Sequence, residues 1–182
     1  IYARMTTRPS DGSPKKGLEL GSPMPPVPTN LMAGLIEALA ADPYHGKADM
    51  PELARSLQLE VDELFPVAEM LQHLGFAEVH SGDIVLTAPG RIFAEHGTQE
   101  RKMQFAEHLL QSVPLAARIR QVLNERPGHH APRVRFEQEL EDFLTDESAE
   151  ETLDAVINWG RYAEIFSYND QTEFFSLEDV EG

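Results

Sequence analysis

Cysteine is absent from the 182 residues. That removes disulfides, thiolate catalysis, cysteine-based zinc sites and iron–sulfur ligation, and it fits a reducing compartment. No apolar run approaches the ~20 residues of a membrane-spanning helix, and no signal peptide is visible. The first residue is Ile1, not Met, and the chain is expected to be part of a longer one. Basic residues are scarce: 15 Lys and Arg face 31 Asp and Glu, a net charge of −16. Nucleic-acid binders draw most of their affinity from the cations that are short here.

Catalytic motifs are missing as well. A phosphate cradle needs G-x-x-x-x-G-K-[ST], with glycines for close backbone approach and Lys for charge; Lys15-Lys16-Gly17 lacks the first glycine and the hydroxyl residue. The seven histidines form no H-E-x-x-H, and no two fall at i, i+3 or i, i+4, the spacings that put two ligands on one helix face. His129-His130 sits beside Pro127-Gly128 and reads as loop. There is no G-x-S-x-G elbow. The sequence offers no catalytic, cofactor-binding or metal-ligating residue, and the chain is not expected to be an enzyme by itself.

What is present is uneven charge and a change of texture at residue 30. Residues 1–30 carry four basic and two acidic residues, residues 31–132 eight and fourteen, and residues 133–182 three and fifteen. A block as acidic as the last is ordinarily a solvated face; the alternative is a docking face for a basic partner. Pro14, Pro23, Pro25, Pro26 and Pro28 crowd residues 10–29. Prolines this dense suit an extended, semi-rigid tether. Ile1–Thr6 reads as a short strand closing a preceding domain.

From Asn30 the apolar period becomes helical. Leu31, Leu35, Ala38 and Leu39 make one stripe, with Asn30 as candidate N-cap. Asp49 is placed to cap a short helix from Met50 to Leu57. A longer helix is expected over Val61–Leu74, closed by Gly75 in the left-handed conformation. Phe76–His80 and Asp83–Thr87 read as strands joined by Ser81-Gly82, a hairpin signal. A trailing helix runs from Pro89 to His96. The second half repeats the plan: a helix from Thr98, another over Leu115–Arg126, a third over Val134–Leu144, a fourth from Thr145-Asp146, then strands Tyr162–Tyr168 and Glu173–Leu177. Leu74-Gly75-Phe76-Ala77-Glu78 aligns with Trp159-Gly160-Arg161-Tyr162-Ala163-Glu164 when one insertion is allowed. The fold class expected is mainly α with short β-hairpins, as tandem winged-helix-like units. The division is 1–30 (end of a preceding domain and linker), 31–97 (first unit) and 98–182 (second unit).

Winged helices commonly read DNA through their second helix, which needs Arg, Lys, Asn or Gln toward the groove. Here that helix offers Glu60, Asp62, Glu63 and Glu69, and its counterpart Asp146, Glu147, Glu150, Glu151 and Asp154. The wing Phe76–Thr87 holds no Lys or Arg. Nucleic acid is therefore not an expected partner. Protein contact is, and two surfaces stand out. Glu147, Glu150 and Glu151 form a candidate docking face. Phe174 and Phe175, on a strand that could be an unpaired wing edge, form a candidate interface. Of the last hairpin's aromatics (Phe166, Tyr168, Phe174 and Phe175), half are expected to pack inward, because alternate strand residues face opposite ways. Trp159 is expected in the core.

Three stretches carry a resemblance: Leu31-Met32-Ala33-Gly34-Leu35-Ile36-Glu37, Lys47-Ala48-Asp49-Met50-Pro51-Glu52-Leu53-Ala54, and the two helix-to-hairpin junctions at Gly75 and Gly160. Over residues 31–178 the chain resembles the C-terminal AAA-associated domain, found after the ATPase domain in ABC transporters of the nitrate/sulfonate/bicarbonate type. Ile1–Pro9 resembles the strand and Arg-Pro turn that close such an ATPase domain. The resemblance implies a non-catalytic regulatory or assembly module of an anion importer's ATP-binding subunit. It implies an upstream ABC-type ATPase domain as partner, a homodimer through the paired ATPases, and a cytoplasmic place peripheral to the inner membrane without direct membrane insertion. No cofactor is implied. The rival classes are a winged-helix transcription regulator and a small-molecule sensor with a pocket between the units.

Overall fold

The computed structural model describes residues 18–177; the strand expected over Ile1–Thr6 lies outside them. The first half runs α1 (Thr29–Ala40), β1 (Lys47–Asp49), α2 (Met50–Ser56), α3 (Val61–Leu74), β2 (Ala77–His80) and β3 (Asp83–Leu86). Local chemistry sets these boundaries. Asp49 Oδ2 accepts from the Glu52 backbone N–H at 3.1 Å, satisfying one of the orphan donors at the start of α2. The Glu60 N–H donates to Glu63 Oε1 at 2.9 Å where α3 begins. Gly75 ends α3 at φ 88°, a conformation open to glycine and costly for most residues. Ser81 and Gly82 both have positive φ, the turn whose twist matches a two-residue hairpin.

The hairpin gains a third strand. β1 pairs antiparallel with β3 (Ala48 opposite Ile84), giving the order β1-β3-β2. Three residues are too few for alternation to be visible in sequence, so this strand was not expected.

Two helices, α4 (Ala88–Glu95) and α5 (Thr98–Ser112), then lead to α6 (Pro114–Glu125), β4 (His130–Pro132), α7 (Arg133–Leu140), α8 (Asp146–Ala163), β5 (Ser167–Asn169) and β6 (Phe174–Ser176). The second sheet has the order β4-β6-β5, with Ala131 opposite Phe175 and Tyr168 opposite Phe175 on the other side. Both halves thus present helix, strand, helix, helix and hairpin, and in each the last strand is central.

Four expectations change. β6 is no open edge, because β4 and β5 flank it. The strand expected over Tyr162–Tyr168 shortens, since α8 continues to Ala163. The helix expected to Leu144 stops at Leu140. The glycine alignment also fails: Gly160 lies inside α8, where a Cβ would meet the Phe166 ring. The left-handed residue that closes α8 is Glu164, at φ 61°.

Both sheets lean on one continuous core. In the first half Phe76 meets Phe93 (ring centroids 5.2 Å apart), Phe105 and His108. In the second, Phe175 meets Phe136, Phe166 and Tyr168. An edge-to-face pair of Phe105 and Tyr162 at 5.2 Å joins α5 to α8.

The described part of the Pro-rich stretch is packed against this body. Met24 and Val27 are buried. The Met24 N–H donates to Thr152 Oγ1 at 3.1 Å, and Trp159 Nε1 donates to the Val27 carbonyl at 2.7 Å. With four prolines bracketing them (Pro23, Pro25, Pro26 and Pro28), these residues hold an extended form at little entropic cost. Residues 18–28 make a strap on α8, where a free tether was expected.

Candidate interaction surface

The acidic block is partly self-neutralised. Arg133, at the start of α7, is buried. Its Nε donates to Glu137 at 2.7 Å, and one amino group donates to Asp154 at 2.9 Å. The other amino group donates to the Glu150 carbonyl at 3.2 Å. Burial works against the charged form, but the hydrogen bonds to Glu137, Tyr168 and Asp154 outweigh it and hold the guanidinium above its ordinary range. In the first half the residue that follows β1 is Met50, also buried. Arg133 follows β4 in the same way, so a guanidinium network occupies the slot a thioether fills in the other half. Sequence reading passed over Arg133. Its i, i+4 spacing to Glu137 was visible, but its burial was not.

The other two cations after Arg133, Arg135 and Arg161, are engaged too. Arg135 pairs with Glu139 at 3.8 Å and Arg161 with Asp170 at 3.1 Å. From α6, Arg118 adds a bidentate pair with Glu139.

The three carboxylates singled out in the sequence stand apart from this network. Glu147, Glu150 and Glu151 are exposed, and among the described residues none of their side chains forms an ion pair. They ride on the first turns of α8, whose start is capped by Thr145 Oγ1 accepting from the Ser148 N–H at 3.1 Å. The helix dipole offsets some of their mutual repulsion there. Exposed Phe143 lies just before them and covers the strap, where a Cβ on Gly21 would fall 2.6 Å from its ring. Glu151 also faces Glu69 and His73 of α3 across a cleft of about 330 Å³. The geometry thus brings the three glutamates together on one acidic end beside the strap.

The aromatic pair divides. Phe175 is fully buried beneath the sheet and offers no surface; Phe174, its neighbour, points outward and is 41% exposed. Trp159 is core, as expected. Among the described residues, no helix is long and apolar enough to cross a membrane.

No curated protein and no solved structure matches the chain. The profile of the C-terminal AAA-associated domain matches residues 51–169. That span runs from α2 to the end of β5, more than half of the chain, and takes in both acidic helices and the Arg133 network. The chain belongs to the C-terminal AAA-associated domain family, whose members are accessory to ATPase-type proteins and not the catalytic part of them.

Proposed function

We propose that this chain is a regulatory or assembly module on the ATP-binding subunit of an ABC-type anion importer, of the nitrate/sulfonate/bicarbonate kind, at the cytoplasmic face of the inner membrane. Its two halves, 31–97 and 98–182, act as winged-helix-like units whose helices have been turned from nucleic acid to protein contact. The observation that carries this reading is the pairing of a repeated helix–strand–helix–helix–hairpin order with second helices that present carboxylates where a DNA reader presents cations. Membership of an ATPase-accessory family supports the upstream partner. The acidic end at Glu147, Glu150 and Glu151 docks on basic surface of the ATPase pair and biases one of its states. Two such modules, carried by paired ATPases, meet each other through outward residues such as Phe174.

The test is ATP hydrolysis and transport by the parent protein, whole, lacking residues 18–182, and with Glu147, Glu150 and Glu151 all changed to Gln. Truncation should leave basal hydrolysis in place and alter its regulation. The triple change should reproduce part of that effect and lower its salt sensitivity. Loss of basal hydrolysis in a folded truncation, or no change in either rate or transport, would refute the reading.

A further inference from the structure

Helices α4 and α5 are joined by His96 and Gly97 alone and fold back on each other. Gln104 of α5 bonds both ends of α4, donating to the Pro89 carbonyl at 2.9 Å and meeting His96 Nδ1 at 3.0 Å. Between them runs an open groove of about 620 Å³. Pro89, Ile92 and His96 repeat at helical spacing along one wall, and Glu100, Met103 and Glu107 along the other. Its apolar residues are the anomaly: Ile92 is 48% and Met103 65% exposed, on a chain where most large apolar side chains are in the core.

Charge decides what fits. Glu100 and Glu107 flank Met103 at i−3 and i+4, and among the described residues neither forms an ion pair. The neighbouring cations are used elsewhere, Arg101 on Glu37 and Lys102 on Glu164. An apolar floor with carboxylates at both ends complements an amphipathic helix that carries cations beside its apolar stripe. A second copy of this chain is a poor occupant, since at −16 net charge it would bring more carboxylates to the same rim.

We propose that the α4–α5 groove docks a cationic amphipathic helix of a partner protein, with the helix's apolar stripe on Ile92 and Met103 and its Lys or Arg side chains on Glu100 and Glu107. The site is separate from the acidic end of α8, and the proposal stands without the importer reading.

Fluorescence anisotropy with the 182-residue chain tests it, using two labelled amphipathic peptides of identical Leu pattern, one with Lys and one with Glu at the polar positions. The Lys peptide should bind and the Glu peptide should not. Changing Ile92 and Met103 together to Ser should weaken binding tenfold or more. Changing Glu100 and Glu107 to Gln should weaken it several-fold and flatten its salt dependence. Phe65→Ser, at an exposed apolar site on α3 that does not line the groove, should bind as the parent does. All these side chains are exposed, and unchanged thermal melts will confirm that the variants fold. Equal binding of both peptides, no binding of the Lys peptide, or undiminished binding by the Ile92/Met103 variant would overturn the proposal. So would sedimentation showing self-association that the Ile92/Met103 variant abolishes, since that would assign the groove to a second copy.

Discussion

Arg133 offers a sharp test of how the second half is held together. Its side chain is 9% exposed, while Glu137 and Asp154 are 29% and 62% exposed. Asp154 is open to water, so its pair contributes at most ~1 kcal/mol. The bonds to Glu137 and the Glu150 carbonyl lie nearer the core, where hydrogen bonds to a charged group contribute ~1.5–3 kcal/mol. The buried aliphatic stem adds ~1–2 kcal/mol, at ~0.8 kcal/mol per methylene. Arg133→Ala removes all of these and should cost ~3–4 kcal/mol, within the range for breaking one side of a buried pair. Arg133→Met keeps the packing, as Met50 does in the first half, and should cost only ~1–2 kcal/mol. Asp154→Asn should cost under ~1 kcal/mol. Urea denaturation read by far-ultraviolet circular dichroism resolves these differences, with an unchanged denaturant slope as the check that the denatured state is the same. An alanine variant within ~1 kcal/mol of the parent would show that the network holds nothing. Equal losses for Ala and Met would show that charge alone matters and that the comparison with Met50 is misplaced.

Two further outcomes are expected. Trp159→Phe leaves the Val27 carbonyl buried without its donor and should cost ~1–3 kcal/mol; Thr152→Val does the same to the Met24 N–H. In both, strap amides should exchange with deuterium faster while β2 and β3 stay protected, and unchanged strap exchange would contradict the anchoring. Burial pushes the Tyr162 phenol above its ordinary value of 10.0, against the opposing pull of Arg101 and Lys102. The folded state therefore holds that proton more tightly than the unfolded one. Its contribution is complete below the unfolded value and is lost as pH rises through the folded one. Tyr162→Phe should match the parent at pH 7 and lose less stability above pH ~10; parallel profiles would rule this out.

Helices with sustained apolar stripes were legible in sequence. The bounds expected for α3 are those observed, and the Asp49 cap, the Gly75 terminus and the Ser81-Gly82 turn stand where their chemistry placed them. The two short strands that complete the sheets were not legible. β1 and β4 are three residues each, and they exist because a partner edge is present, which no local pattern encodes. The end of α8 was misread because Gly160, with Tyr162 and Ala163 close behind it, resembled the Gly75 junction; its tertiary role, making room for the Phe166 ring, decides the matter. Of the candidate surfaces, the grouping of the three glutamates followed from i, i+3 and i, i+4 spacing. Whether Phe174 or Phe175 faces out depends on register, which only the pairing with β4 and β5 fixes. The α4–α5 groove was invisible for a similar reason: Ile92 and Met103 look like core residues until the packing of neighbouring helices leaves them uncovered.

The strap redistributes load within the molecule. Residues 18–28 precede α1 in the chain, yet their anchors are Thr152 and Trp159 near the opposite terminus. A tug transmitted along the backbone into residue 18 is resisted first by α8, and α1 comes under tension only after those two bonds part. α8 is also the helix that bears Glu147, Glu150 and Glu151 and closes on the Arg133 network. A displacement upstream of the strap thus acts on the most acidic element of the body without having to travel through the first sheet, which makes the last long helix the mechanical input of the whole unit.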